Sequence, residues 1–288
     1  MKIVIVGTSP IMIILAIALS KKNKVTLFEK RKNFGGAWSF FKYKSMYIHN
    51  KTNVIVPTKK SEEKHIKNII KYLKKKFNLK IRRNKKIYKT VSKYKPKNIF
   101  IYDIHKIYDH LKKCNIKIIN KNVTNISISK KKVFINNFEF DKVFIPTFIA
   151  LKKVKIDKNF YFFNFKKIIS KHLVLISKKK FLKEFYYMEN FNNYFDRALL
   201  KRRKSLYLFT ARIKKRFKHF KHKELIKLSN FGIEKKNLLL SKIFKYENCY
   251  RDDSQIKKLN NLNKFKKIKV VDTTQFVSSF KKLKFKAN

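Results

Sequence analysis

Ile3–Val6 is a short apolar run rich in β-branched residues, the pattern of a buried strand. Gly7 ends it. Pro10 stands where a helix would begin, and proline suits a first helical turn. Ile11–Ser20 is apolar and of helix length. Asn23 and Lys24 make the turn out, and Val25–Phe28 reads as a second strand ending at Glu29. A short basic loop then leads to Gly35-Gly36-Ala37-Trp38. The pattern predicts a βαβ unit with an acidic residue about 20 residues past the first glycine, the arrangement used to bind dinucleotides.

Further along, Ser61–Asn78 carries an apolar stripe at Ile66, Ile69, Ile70 and Leu73, which predicts a helix. Ser61 is its N-cap candidate, and Glu62 and Glu63 fall in its first turn. Asp103–Cys114 predicts another helix, with Ile104, Ile107, Tyr108 and Leu111 on one face. Strands are expected at Ile116–Ile119, Val123–Ser127, Val133–Ile135, Phe138–Phe140 and within Asp141–Pro146, with a turn at Asn136-Asn137. Ile3–Val6, Val25–Phe28, Ile116–Ile119 and Val143–Ile145 should share one mainly parallel sheet. Phe40–Lys60, broken by Asn50 and Pro57, reads as irregular, and Leu79–Lys97 as a short strand and loop. After Phe148 the character changes: His172–Ser177 reads as a strand, Phe185–Glu189 and Leu206–Ala211 as aromatic-rich strands, and Leu238–Tyr246 leads back toward the first domain. Lys223–Gly232 predicts a helix with a glycine C-cap, and Lys267–Asp272 a last strand.

Composition changes the picture at three points. The chain has 4 glycines in 288 residues, and three of them are Gly7, Gly35 and Gly36. Glycine is thus concentrated where a tight strand-to-helix turn or a close backbone approach needs it. The net charge of +58 normally points to nucleic acid or an anionic membrane. Here the basic residues run along the whole chain. Lys, Asn, Ile, Phe and Tyr are abundant while Gly, Pro and Ala are scarce, the mark of AT-rich codons. We expect no specific nucleic-acid partner. Against that background Arg197, Arg212 and Arg251 stand out, because arginine offers a planar two-pronged donor that lysine lacks. They are candidates for an anionic substrate or for fixed ion pairs.

Cys114 and Cys249 are far apart and belong to no motif, which fits a reducing cytoplasm and no zinc site. The seven histidines form no metal pattern. The apolar start is interrupted by Gly7-Thr8-Ser9-Pro10, and the piece after it is too short to span a bilayer. No membrane span is expected.

The N-terminal stretch resembles the FAD-binding start of the amine oxidase-like flavoproteins, a group that includes phytoene desaturases, protoporphyrinogen oxidases and UDP-galactopyranose mutases. Gly7, Ala16, Glu29, Gly35, Gly36 and Ser39 match their pattern. Ser9 and Met12 depart from it, standing where the second and third glycines of the fingerprint belong. The resemblance implies FAD held by Gly7, Ser9, Pro10, Glu29, Lys30, Gly35, Gly36, Ala37 and Trp38. It also implies that the Val123 backbone lies near adenine and that Asp272, at the end of the returning strand, contacts the ribityl or phosphate part.

The expected fold is α/β: a Rossmann-like FAD-binding domain of the glutathione reductase-like class, with a second α+β substrate domain. Residues 1–150 and 250–288 would form the first, and 151–249 a mixed-sheet second. The expected function is FAD-dependent oxidoreductase, or flavin-dependent sugar mutase, acting on a small and anionic substrate. The alternative is a relic that keeps the fold and no longer binds flavin. NAD(P) in the same place is a further option. Substrate and oligomeric state are not encoded in any recognisable pattern.

Overall fold

The computed structural model describes residues 1–32, 34–35, 38–49, 54–55, 60–79, 81–84, 87–89, 99–102, 104–129, 131–180, 187–189, 194–203, 205–217, 221, 235–273, 277, 279–280 and 283. Its centre is a five-stranded sheet, every neighbouring pair parallel. The order is Ile268–Val271, Lys142–Pro146, Lys2–Val6, Lys24–Phe28, Ile116–Ile119. All four expected strands are in it, and the late KIKVVD segment returns to its edge.

Side chains alternate across a strand, so each strand here feeds two cores. Ile3, Ile5, Val25, Leu27, Phe144 and Val271 point to one. Val4, Val6, Phe28, Val143, Ile145 and Val270 point to the other. Burial on both faces is why the inner strands Lys2–Val6 and Lys142–Pro146 read as continuous apolar runs rather than alternating ones.

The first face is covered by three helices. Helix α1 (Pro10–Ser20) is buried from Pro10 through Ile17, which explains its all-round apolar sequence. Helix α2 (Lys60–Phe77) and helix α3 (His105–Lys112) are amphipathic and present Ile66, Ile69, Leu73, Ile107 and Leu111 to the same core. Helix α2 begins at Lys60, so Ser61 lies inside its first turn rather than capping it. Asn78 follows with φ 48°, the left-handed residue that commonly ends a helix.

The second face is covered by a smaller sheet, ordered Phe138–Phe140, Val133–Ile135, Asn125–Ile128, Lys153–Ile156, Asn159–Phe162. The hairpin turn at Asn136 and Asn137 has φ 48° and 68°, the left-handed pair that a two-residue turn requires. Helix α4 (Asp253–Asn260) closes this side with Leu259. The sequence reading contains no helix there. Its signal was the Asp252–Gln255 pair: Asp252 accepts from the Gln255 N–H at 2.8 Å as an N-cap.

A third sheet of six strands runs Leu238–Tyr250, Lys166–Ser177, Leu206–Ile213, Phe195–Arg203, Tyr187–Glu189, Ile87–Lys89. It is antiparallel except for the last pair. Phe195 and Phe209 meet edge to face at 6.1 Å inside it. The segment read as irregular holds a hairpin, Phe40–Tyr43 with Met46–His49, turning at Lys44 (φ 51°). Met46 and Ile48 pack on Val174, Ile176 and Leu208 of the six-stranded sheet. The expected helix over 223–232 lies outside the described residues.

Candidate functional site

All five parallel strands end at one edge, and a cavity of about 490 Å³ opens there. Residues just past four strand ends line it: Gly7 to Ser9, Glu29 to Arg31, Phe148 to Ala150, and Thr273. Lys121 to Val123, following the strand Ile116–Ile119, complete that side. The sheet order reverses at Lys2–Val6, from which the chain first builds toward Ile116–Ile119 and later returns on the other side. In open α/β sheets ligands bind outside the carboxyl ends at such a switch point. The opposite wall comes from the six-stranded sheet: Ile168, Ser170, Arg212 and Glu247. Arg31 ties the walls together by donating to the Glu247 carbonyl at 2.7 Å.

Gly7 has φ +85° and its N–H donates to the Phe28 carbonyl at 2.7 Å. A Cβ at Gly7 would have room, its nearest neighbour being Pro146 at 3.5 Å, so the backbone angle alone calls for glycine. Gly35 is more constrained. Its φ is +94°, and a Cβ would come within 2.7 Å of the Tyr108 hydroxyl.

Between the two glycines runs a buried polar chain. Glu29 is 6% exposed. One of its carboxylate oxygens accepts from the Thr8 N–H at 3.1 Å and from the Thr8 hydroxyl. Its other oxygen accepts from the Arg31 N–H at 3.0 Å. The Gly35 N–H donates to Thr8 Oγ1 at 2.8 Å, and the Tyr108 hydroxyl donates to the Thr8 carbonyl at 2.9 Å. The Asn120 amide spans the carbonyls of Glu29 and Arg31, at 3.0 and 2.6 Å. Thr8, Tyr108 and Asn120 were not among the site residues expected from sequence, where Tyr108 was read only as part of an apolar helix face. Thr8 had one signal, its place between Gly7 and Ser9 in the turn.

The structure brings Gly7, Ser9, Glu29, Lys30, Gly35, Trp38, Val123 and Arg212 to the cavity. Pro10 is buried as the first residue of α1 and does not line it. Asp272 stands one residue from it, with its carboxylate 3.5 Å from the Thr147 hydroxyl. Gly36 and Ala37 lie outside the described residues, as does the side chain of Arg197. Arg251 is 1% exposed and its guanidinium donates to the carbonyls of Ile149 and Leu151, between the rings of Phe163 and Phe165. It holds the loop that lines the cavity rather than lining it. Arg212 pairs with Asp196 at the rim.

The two fingerprint departures are accommodated differently. Ser9 has φ −62° and ψ 153°, extended backbone that a serine adopts without strain. Its hydroxyl is enclosed and has no protein partner among the described residues. Met12 is fully buried in the helix-side core and stays clear of the cavity. Among the described residues no group of histidine, cysteine and carboxylate side chains could hold a metal ion. None of the helices described is long and apolar enough to cross a membrane.

Among solved structures the chain is similar to a candidate protoporphyrinogen oxidase from Exiguobacterium sp. 255-15. The TM-score is 0.65 at 10% identity, covering 98% of this chain and 97% of that one. The fold is that of the amine oxidase-like flavoproteins. An engineered triple mutant of putrescine oxidase, redesigned for cofactor binding, matches with TM-score 0.60 at 8% identity, over 98% of this chain and 97% of that chain. Glycerophosphate oxidase from Mycoplasma pneumoniae, with FAD bound, matches with TM-score 0.52 at 13% identity, over 88% and 84%. No family model and no curated protein matches the chain.

Proposed function

We propose that the chain is an FAD-dependent oxidoreductase that binds FAD non-covalently at the carboxyl edge of its parallel sheet. The observation that carries this reading is the convergence of Gly7, Glu29, Gly35 and Val123 on one cavity at the switch point of the sheet. The residues present fit the group. The Gly7–Ser9 turn and the start of α1 would hold the pyrophosphate, with the enclosed Ser9 hydroxyl as an added donor. Glu29 would hold the adenosine ribose and the Val123 backbone the adenine, while Gly35 and Trp38 would pass close to the remaining phosphate or ribose. Asp272 would act from behind the cavity edge, next to Thr273, which lines the cavity.

When bound, the isoalloxazine supplies electron transfer. The chain's own residues bind, orient and exclude water. Ile168 and Ser170 would present a partly apolar wall to the substrate. Arg212, at the rim, would meet an anionic group, its charge balanced by Asp196 in the absence of substrate. Arg197 would be a second such group, and Arg251 would act only by fixing the loop 149–151. In this reading residues 1–150 and 250–288 form the cofactor domain, of the glutathione reductase-like class, and 151–249 the substrate domain. A flavin-dependent mutase would use the same site.

The test is the visible spectrum of the purified protein and a titration of the apoprotein with FAD. Oxidised-flavin bands, and saturable binding lost in Glu29→Ala, support the reading. Absence of binding in the wild type supports the relic instead.

A further inference from the structure

Glu29 is buried and ionisable, yet the residue that governs it is Thr8. A carboxylate oxygen has two lone pairs. Both on one Glu29 oxygen are directed at Thr8, one accepting its N–H at 3.1 Å and one its hydroxyl. The Thr8 hydroxyl in turn accepts the Gly35 N–H at 2.8 Å. One side chain therefore links the first glycine turn, the end of the second strand and the Gly35 loop. The Tyr108 hydroxyl fixes the Thr8 carbonyl from helix α3 at 2.9 Å. Among the described residues the second Glu29 oxygen takes only the Arg31 N–H, at 3.0 Å, and keeps acceptor capacity.

We propose that Thr8 is a positioning residue that locks the Glu29 carboxylate, leaving one oxygen free to take a ribose hydroxyl of the bound nucleotide. The proposal rests on the flavin reading. A carboxylate on a flexible glutamate stem ordinarily loses rotamer freedom when it binds a ligand. Here that loss is taken during folding, so the acceptor is preorganised. Valine has the shape of threonine without the hydroxyl. In Thr8→Val one donor to Glu29 disappears and the Gly35 N–H loses its acceptor. Serine restores both.

The experiment measures calorimetric binding of FAD, ADP and 2′,3′-dideoxyadenosine diphosphate to the wild type, Thr8→Val, Thr8→Ser, Glu29→Gln and the Thr8→Val/Glu29→Gln double variant. Thr8→Val should weaken FAD and ADP roughly tenfold, while Thr8→Ser stays within about twofold of wild type. The dideoxy ligand, which has no hydroxyl for Glu29 to accept, should bind wild type and Thr8→Val alike. In the Glu29→Gln background Thr8→Val should add less than about twofold. Equal weakening of ADP and its dideoxy analogue would show a merely structural threonine and overturn the proposal. So would undiminished ADP binding by Thr8→Val while the wild type binds FAD, an outcome that leaves the flavin reading intact. A wild type that binds neither FAD nor ADP overturns both.

Discussion

The parallel sheet and the six-stranded antiparallel sheet face each other across the cavity, and they are built under different constraints. Four of the five parallel strands are largely buried on both faces, the edge strand Ile116–Ile119 being the exception, and the strand ends carry specific small and polar residues: Gly7, Thr8, Glu29 and Asn120. The antiparallel strands are long, and part of their length faces solvent. In Lys166–Ser177 the first four residues are exposed and the last six are buried. One wall is therefore set by small and polar residues at strand ends, and the other by side chains carried along paired strands, Ile168, Ser170, Arg212 and Glu247.

The contrast can be broken most directly with one residue type in two places. Ile5→Ala, at the fully buried centre of the parallel sheet, should cost about 2–5 kcal/mol in denaturant unfolding. Ile169→Ala, 52% exposed in the antiparallel sheet, should stay within about 0.5 kcal/mol. Similar costs at both would erase the distinction.

Next come the glycines. Gly35→Ala should cost roughly 1–3 kcal/mol for its left-handed backbone, with crowding against Tyr108 added. Gly7→Ala, which has room, should cost roughly 1–2 kcal/mol. Removing the hydroxyl with Tyr108→Phe should recover part of the Gly35→Ala loss and none of the Gly7→Ala loss, read from unfolding midpoints.

Glu29→Ala should weaken FAD binding by roughly 1–3 kcal/mol, the scale of a hydrogen bond to a charged group. An Arg212 substitution in the opposite wall should leave FAD affinity unchanged and alter only substrate binding. Equal FAD loss from both would mean that the two walls are not divided by role.

The smallest effect lies at helix α4. The Gln255 N–H, and then the Ser254 hydroxyl, hold the Asp252 carboxyl below the usual carboxylate range. Because the folded value is depressed, the unfolded chain binds more protons on acidification. The stabilisation is therefore present above the ordinary aspartate range and is lost as pH falls through the folded value. Asp252→Ala should lower the unfolding midpoint slightly at neutral pH, and the difference should vanish in acid.

The parallel core was legible because its strands are short and mostly apolar and because Gly7 and Gly35, two of only four glycines in the chain, mark its turns. The hairpin at Phe40–His49 was not, because its turn uses Lys44, a residue with no turn preference, in a left-handed conformation. Strand lengths in the antiparallel sheet were underestimated for a related reason: Lys166–Ile169 is exposed, its two isoleucines included, so pairing with Glu247–Tyr250 rather than burial extends it. At the site, the backbone-shaping residues were visible and the side-chain contacts were not. Thr8, Asn120 and Tyr108 are ordinary residues in sequence, and only their long-range pairing gives them a role.

The order of strands in the parallel sheet has a consequence for how the protein is made. Ile268–Val271 pairs with Lys142–Pro146, more than a hundred positions earlier. Until that late segment emerges from the ribosome, the strand Lys142–Pro146 is an open edge, apolar and with an unpaired row of backbone groups. Such non-local closure is slow and leaves nascent chains prone to pair with one another. Synthesis in the cell should then demand chaperone attention for the whole interval between residues 146 and 271, and a nascent chain arrested in that interval should be captured by holdases far more readily than the finished protein.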